Sequence, residues 1–118
     1  MSSIFKLISS NDWEEAKING LVPKSKVDED AGGYLVYQFS DLDGVCQLNF
    51  KSDDYPVALE LEPSHLVSFL TWHQPNAERV WKEGIIKSAE IYADLVMNIY
   101  SFEWADTNGV TWCKIVGE

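Results

Sequence analysis

The stretch KSAEIYADL, residues 87–95, sets Glu90 two residues before Tyr92 in a run that is otherwise largely apolar. A carboxylate so placed could be a catalytic group, its acidity tuned by an apolar setting. It could equally be the wet face of a strand, because Ile91 beside it would then point to the opposite side. Other chemistry-bearing residues are sparse. His65, His73, Cys46 and Cys113 have none of the short spacings that mark a zinc site, so no metal site is expected. No Gly-rich phosphate loop, GxSxG elbow or HExxH segment occurs, and AGGY at 31–34 precedes a strand pattern rather than a helix. A Cys or Ser nucleophile needs an acid–base histidine nearby. Neither His65, at a helix start, nor His73, just before Gln74-Pro75, suggests that role.

Charge narrows the field further. The 118 residues carry 9 Lys+Arg against 19 Asp+Glu, a formal net charge of −10, with Arg79 as the sole arginine. Nucleic acids are held by clusters of cations that release counterions, so such a partner is not expected. A single phosphate, held by backbone N–H groups and one lysine, remains compatible with this balance. A hydrophobic fraction of 46% with five tryptophans is a globular composition, and one domain over residues 1–118 is expected. No apolar run reaches the roughly 20 residues of a membrane span. The opening MSSIFKLISS lacks a basic segment followed by a long apolar one, so no signal peptide is read. Two distant cysteines without CxxC read as reduced, buried thiols, and a cytoplasmic protein is the expectation.

Periodicity places these residues on elements. IFKLI, residues 4–8, reads as a strand. SSNDWEEAKING then reads as a helix capped by Ser10 or Asn11, with Glu14 completing an Asn-x-x-Glu box and Gly20 as its left-handed stop. PKSKVDEDAGG, residues 23–33, reads as an exposed loop pivoting on Gly32-Gly33. YLVYQFS is a strand by its aromatic and branched content. Residues 41–50 read two ways, as a turn and return strand or as a helix capped by Ser40. VALELEP is a strand with Val57, Leu59 and Leu61 inward and Glu60 and Glu62 outward. Pro63 and Ser64 open a short helix to Leu70, and residues 76–84 read as one or two helical turns stopped by Gly84. EIYADL is a strand. Tyr100, Phe102 and Trp104 alternate on the first arm of a closing hairpin that turns at Asn108-Gly109. The fold class is α+β.

FKLIS, LVYQFS and SAEIYADL, taken in order, resemble the ADP-ribosyltransferase-like fold. Within it the chain resembles the small bacterial domain-of-unknown-function 952 family over about residues 4–104. DWEEA answers that family's EWEAA-type helix, LVYQFS its GFIHLS strand, PVALELEPSHL its LVLLEVDP strand, and EIYADL its HLYGPL strand. The resemblance implies a split sheet of short strands with two or three short helices around a cleft, and it favours the helix for residues 41–50. It also implies NAD or a related nucleotide as ligand and transfer of ADP-ribose as activity. On that alignment Glu90 matches the late-strand glutamate that grips the nicotinamide-ribose hydroxyls. A fixed carboxylate stabilises positive charge that grows on the ribose as the glycosidic bond breaks. Tyr34 or Tyr37 would then stack on the nicotinamide, Ser9 or Ser40 would hold a ribose hydroxyl, and Lys6 would take the phosphates. Histidines of the pattern are replaced here by Lys6, Gln38 and Glu90, which implies a protein that keeps the fold with impaired activity.

A second function class also fits the residues. Trp72, Trp81, Trp104 and Trp112 crowd the second half among Glu78, Glu83, Glu90, Asp94, Glu103 and Asp106. Tryptophan anchors ringed by carboxylates suit a non-enzymatic protein that masks a basic partner, as an immunity protein or antitoxin does. The same pattern is also that of core tryptophans in an acidic, well-solvated domain.

Overall fold

In a computed structural model, which describes residues 3–116, five consecutive buried residues form β1 (Ile4–Ile8). The chain then enters α1 (Ser10–Asn19), whose cap is Ser9: its side chain accepts from the Asp12 N–H, one residue earlier than the sequence suggests. Trp13 and Ala16 are its buried face, and Gly20 ends it at φ 79°, in the left-handed region. Residues 23–33 are not an exposed loop throughout. They contain α2 (Lys26–Ala31), closed by a capping box in which Ser25 Oγ accepts from Asp28 N–H while Asp28 Oδ2 accepts from Ser25 N–H. Asp28 itself is buried, and its Oδ1 lies 2.9 Å from the buried Lys6 ammonium.

Next come β2 (Tyr34–Val36) and α3 (Leu42–Asn49), so residues 41–50 are helical. Leu42, Val45 and Cys46 are the buried stripe of α3. The expected strand through Ser40 is shorter, because Phe39–Asp41 is a single tight helical turn leading into α3. β3 (Val57–Leu61) follows, and the stretch after Pro63 forms only one such turn at Val67–Phe69 before β4 (Leu70–His73), which begins at the residue where the expected helix would end. Residues 76–82 form no helix, and Gly84 lies inside β5 (Glu83–Ile86) rather than ending one. A Cβ there would come within 2.8 Å of Leu70 and 2.9 Å of Val36, so this glycine serves close packing between β2 and β4. EIYADL is likewise no strand. Tyr92 makes a lone bridge with Leu21, and Ala93–Leu95 is a turn into β6 (Val96–Thr107). Asn108 and Gly109, both at positive φ, make the expected hairpin turn to β7 (Val110–Val116).

These strands form two antiparallel sheets, β1-β3-β6-β7 and β2-β5-β4. They meet at one reciprocal backbone pair, Phe5 N–H to the Tyr37 carbonyl at 3.0 Å and Tyr37 N–H to the Phe5 carbonyl at 2.9 Å. One core cluster includes Trp13, Val22, Tyr34, Leu59, Leu61 and Ile86. The other sets Phe5, Leu35 and Tyr37 against Leu42, Val45 and Cys46 of α3. Cys46 and Cys113 are both buried free thiols, and burial pushes the Cys46 thiol up, with the Cys113 thiol beside it. At the outer edge of the larger sheet, Asp43 of α3 accepts from Ile115 N–H of β7 at 2.8 Å. Among the described residues no helix is long and apolar enough to cross a membrane.

Asp28 is where removal should cost most. It accepts from the Lys6 ammonium, from Leu35 N–H at 3.0 Å and from Ser25 N–H at 3.0 Å, so its loss strands a buried cation and the buried Leu35 amide. Breaking such a pair by removing one partner costs about 3–5 kcal/mol. We therefore expect urea unfolding of Asp28→Ala to show a loss of that order, and a loss below about 1 kcal/mol would mean that the pair is solvated.

Candidate functional site

The residues singled out from sequence fall into separate places. Lys6 and Tyr37 line one cavity of about 180 Å³ under α2 and α3. Gln38 and Ser40 line a different, open concavity. Glu90 stands with Tyr34 at the other end of β2 from Gln38, and Ser9 is engaged as the cap of α1. Gln38 lies four residues beyond Tyr34, which in extended chain is about 13 Å. Glu90, Tyr37 and Lys6 thus do not share a single pocket.

The open concavity lies where β1 leaves β2 and the two sheets part. It has a volume of about 660 Å³ and is bounded by Ser3, Phe5, Gln38, Phe39, Ser40, Glu60 and Tyr100. Ser3 and Gln38 also bound an adjoining hollow of about 250 Å³ that reaches Leu70 and Trp72 on the smaller sheet and Lys82 just before β5. Sheet register sets the geometry. Phe5 is opposite Glu60, Glu60 is opposite Asn98, and Tyr100 is one step along the same face of β6. Glu60 is consequently ringed by donors: Ser3 Oγ at 2.6 Å, Asn98 Nδ2 at 2.9 Å and the Tyr100 hydroxyl at 3.3 Å. These hydrogen bonds, Ser3 first and Asn98 next, hold its carboxyl below the usual glutamate range, so it is ionised at neutral pH. Three aromatic rings flank it. Phe5 and Phe39 lie 5.4 Å apart, Phe39 and Tyr100 6.0 Å apart and nearly edge-on, and Phe39 is half exposed. At the far end the Lys82 ammonium sits 5.3 Å from the Trp72 ring. A fixed anion beside aromatic rings, with one cation at a distance, can hold a hydroxyl-bearing molecule that has a flat apolar part.

Glu60 escapes sequence reasoning because alternation marks it simply as outward. The signal that could have found it is the pairing of β3 with β6, two strands far apart in the chain. Of the five tryptophans, Trp13 is buried, Trp72, Trp81 and Trp104 are partly buried, and Trp112 is exposed. Among the described residues no group of three or more His, Cys, Asp or Glu is arranged to hold a metal.

At the start of β2 the Tyr34 hydroxyl lies 2.6 Å from the Val22 carbonyl and 3.1 Å from Glu90 Oε2, with Lys24 Nζ 3.9 Å from the other Glu90 oxygen. Glu90 is exposed to solvent on one side of this group. Burial, aided by the Glu90 carboxylate and opposed by a hydrogen bond from the Ile91 backbone, pushes the Tyr34 phenol up from 10.0 to about 12. The native state therefore holds this proton longer than the unfolded chain does. Its stabilising contribution is complete below pH 10.0 and is lost as pH rises through about 12. In an alkaline ultraviolet titration one phenol should ionise near pH 12, and Tyr34→Phe should remove that step. Ionisation of every tyrosine near the ordinary value, with the fold intact, would refute this environment.

No family model matches the chain, and no curated protein does. Among solved structures, the chain is similar to protein CC0527 from Caulobacter crescentus, with a TM-score of 0.75 and 20% identity over 93% of each chain. A double mutant of that protein matches with a TM-score of 0.74 and 18% identity, again over 93% of each chain. At that identity the likeness is one of fold, and the chain shares a mixed two-sheet α+β architecture with CC0527.

Proposed function

We propose that this chain is an ADP-ribosyltransferase-like protein that binds NAD or a related nucleotide in the cleft between its two sheets, with transfer activity impaired. The observation that carries the reading is the Glu60 cluster: an ionised carboxylate flanked by Phe5, Phe39 and Tyr100, at the point where the sheets diverge. Ribose hydroxyls donate to Glu60, the heterocycle stacks on the half-exposed Phe39, and Gln38 and Ser40 supply further polar contacts. Lys82, in the adjoining hollow, faces the pyrophosphate. Impairment follows from the position of Glu90. The late carboxylate of the resemblance stands beside Tyr34, outside the ring of residues around Glu60. A charge that far from the ribose gives little of the close electrostatic stabilisation that bond cleavage requires.

A thermal melt with and without NAD tests this. At NAD about a hundredfold above Kd, mass action adds roughly 2.7 kcal/mol. For a domain of this size the melting temperature should rise by more than about 5 °C. Glu60→Ala and Phe39→Ala should abolish the rise, while Glu90→Ala should leave it. Absence of a rise at several millimolar NAD would sink the nucleotide reading. A rise that survives Glu60→Ala and disappears in Glu90→Ala would move the site to the Tyr34 end of β2.

A further inference from the structure

We infer that the half-open cavity beside Lys6 is a second binding site, separate from the cleft, for a small uncharged carbonyl compound built on a single ring. The volume, the lining and the charge each bear on this. About 180 Å³ is comparable to the roughly 150 Å³ of an apolar cavity that accepts benzene. Leu7, Leu35, Val45 and Phe50 give it mainly apolar walls. Its charged groups are Lys6 and Asp28, with side chains 5% and 1% exposed.

Asp28 is committed to the protein. Oδ1 takes the Lys6 ammonium and Leu35 N–H, and Oδ2 takes Ser25 N–H. Lys6 is not committed to the same degree. An ammonium has three N–H donors, and among the described residues its hydrogen-bond partner is Asp28 Oδ1 at 2.9 Å. Lys6 lines the cavity with its side chain 5% exposed, and its two remaining donors are assigned to an acceptor bound there. The Tyr37 hydroxyl, on the same wall, faces Glu83 Oε2 at 3.4 Å.

The pair also selects against charge. An anion on Lys6 would sit against the Asp28 carboxylate in low dielectric, and a cation would meet the ammonium. A neutral oxygen acceptor on an apolar body suffers neither repulsion. A carbonyl on a six-membered ring meets all three conditions. Burial lowers the Lys6 pKa against the opposing pull of Asp28, consistent with a nitrogen removed from water.

Titration of the full chain with acetophenone, followed by methyl NMR, tests the inference. Saturable one-to-one binding is expected, with shifts centred on Leu7, Leu35 and Val45. α-Methylstyrene, which has the same shape without the oxygen, should bind at least about tenfold more weakly, since it offers the ammonium no acceptor. Lys6→Met should erase the difference between the two compounds. Val27, 63% exposed at the mouth, can be enlarged without disturbing the core, and Val27→Trp should weaken acetophenone at least about tenfold. No saturation, shifts centred elsewhere, or equal binding of both compounds by the native chain would each overturn the assignment. The methyl shifts decide the matter even where Lys6→Met or Val27→Trp fails to fold.

Discussion

The two sheets of this protein are joined by the reciprocal Phe5–Tyr37 backbone pair, and the shape of the molecule follows from how narrow that junction is. A continuous ladder between β1 and β2 would have made one seven-stranded sheet with no room between its halves. Because pairing stops after one residue on each side, the strands splay, and an open concavity forms on one side of the junction. On the other side α2 and α3 close over it, leaving the smaller cavity around Lys6. The Lys6–Asp28 pair lies one residue from the junction and ties β1 to α2. Both concave sites are thus products of the same interrupted pairing.

Carboxylates in an acidic protein are easily treated as interchangeable, and three of them here show why they are not. Asp28 is buried and committed, shared between a cation and two backbone amides. Glu60 is partly exposed, held by neutral donors from β6 and from the segment preceding β1. Glu90 is largely in water, meeting one phenol and one distant lysine. The first acts in stability, the second has the charge and neighbours of a ligand group, and the third has the least enforced geometry.

What could be read from the sequence was whatever depends on near neighbours in the chain. Gly20 as a helix stop, the Val57–Leu61 alternation and the Asn108-Gly109 turn are local matters of backbone preference and period, and all appear as expected. The α+β class holds as well, while residues 41–50, open between hairpin and helix on their own pattern, take the helix that the resemblance favoured. Helix α2 was hidden because KVDEDA has almost no apolar face; its stability comes from the Ser25 box and from Asp28 reaching Lys6, a residue 22 positions away. Gly84 looked like a stop because glycine signals both conformational freedom and close approach, and only β4 and β2 on either side reveal which applies. The candidate site was legible in part for the same reason. Gln38 and Ser40 reach the cleft through a short local turn, whereas Glu60 gains its ring of donors only through Asn98 and Tyr100 across a sheet register.

The contact between Asp43 and β7 bears on the protein's behaviour in company. β7 is the outer strand of its sheet, and a bare outer strand offers amides on which another chain can template itself. Here the Ile115 amide is occupied by a carboxylate from α3, and the Cys113 thiol lies against the Asp43 carbonyl at 3.4 Å. The helix therefore acts as a guard rail along the lower half of the strand. A molecule that kept β7 but lost its hold on α3 would present that edge to its neighbours, and self-association would begin there, before the sheet itself came apart.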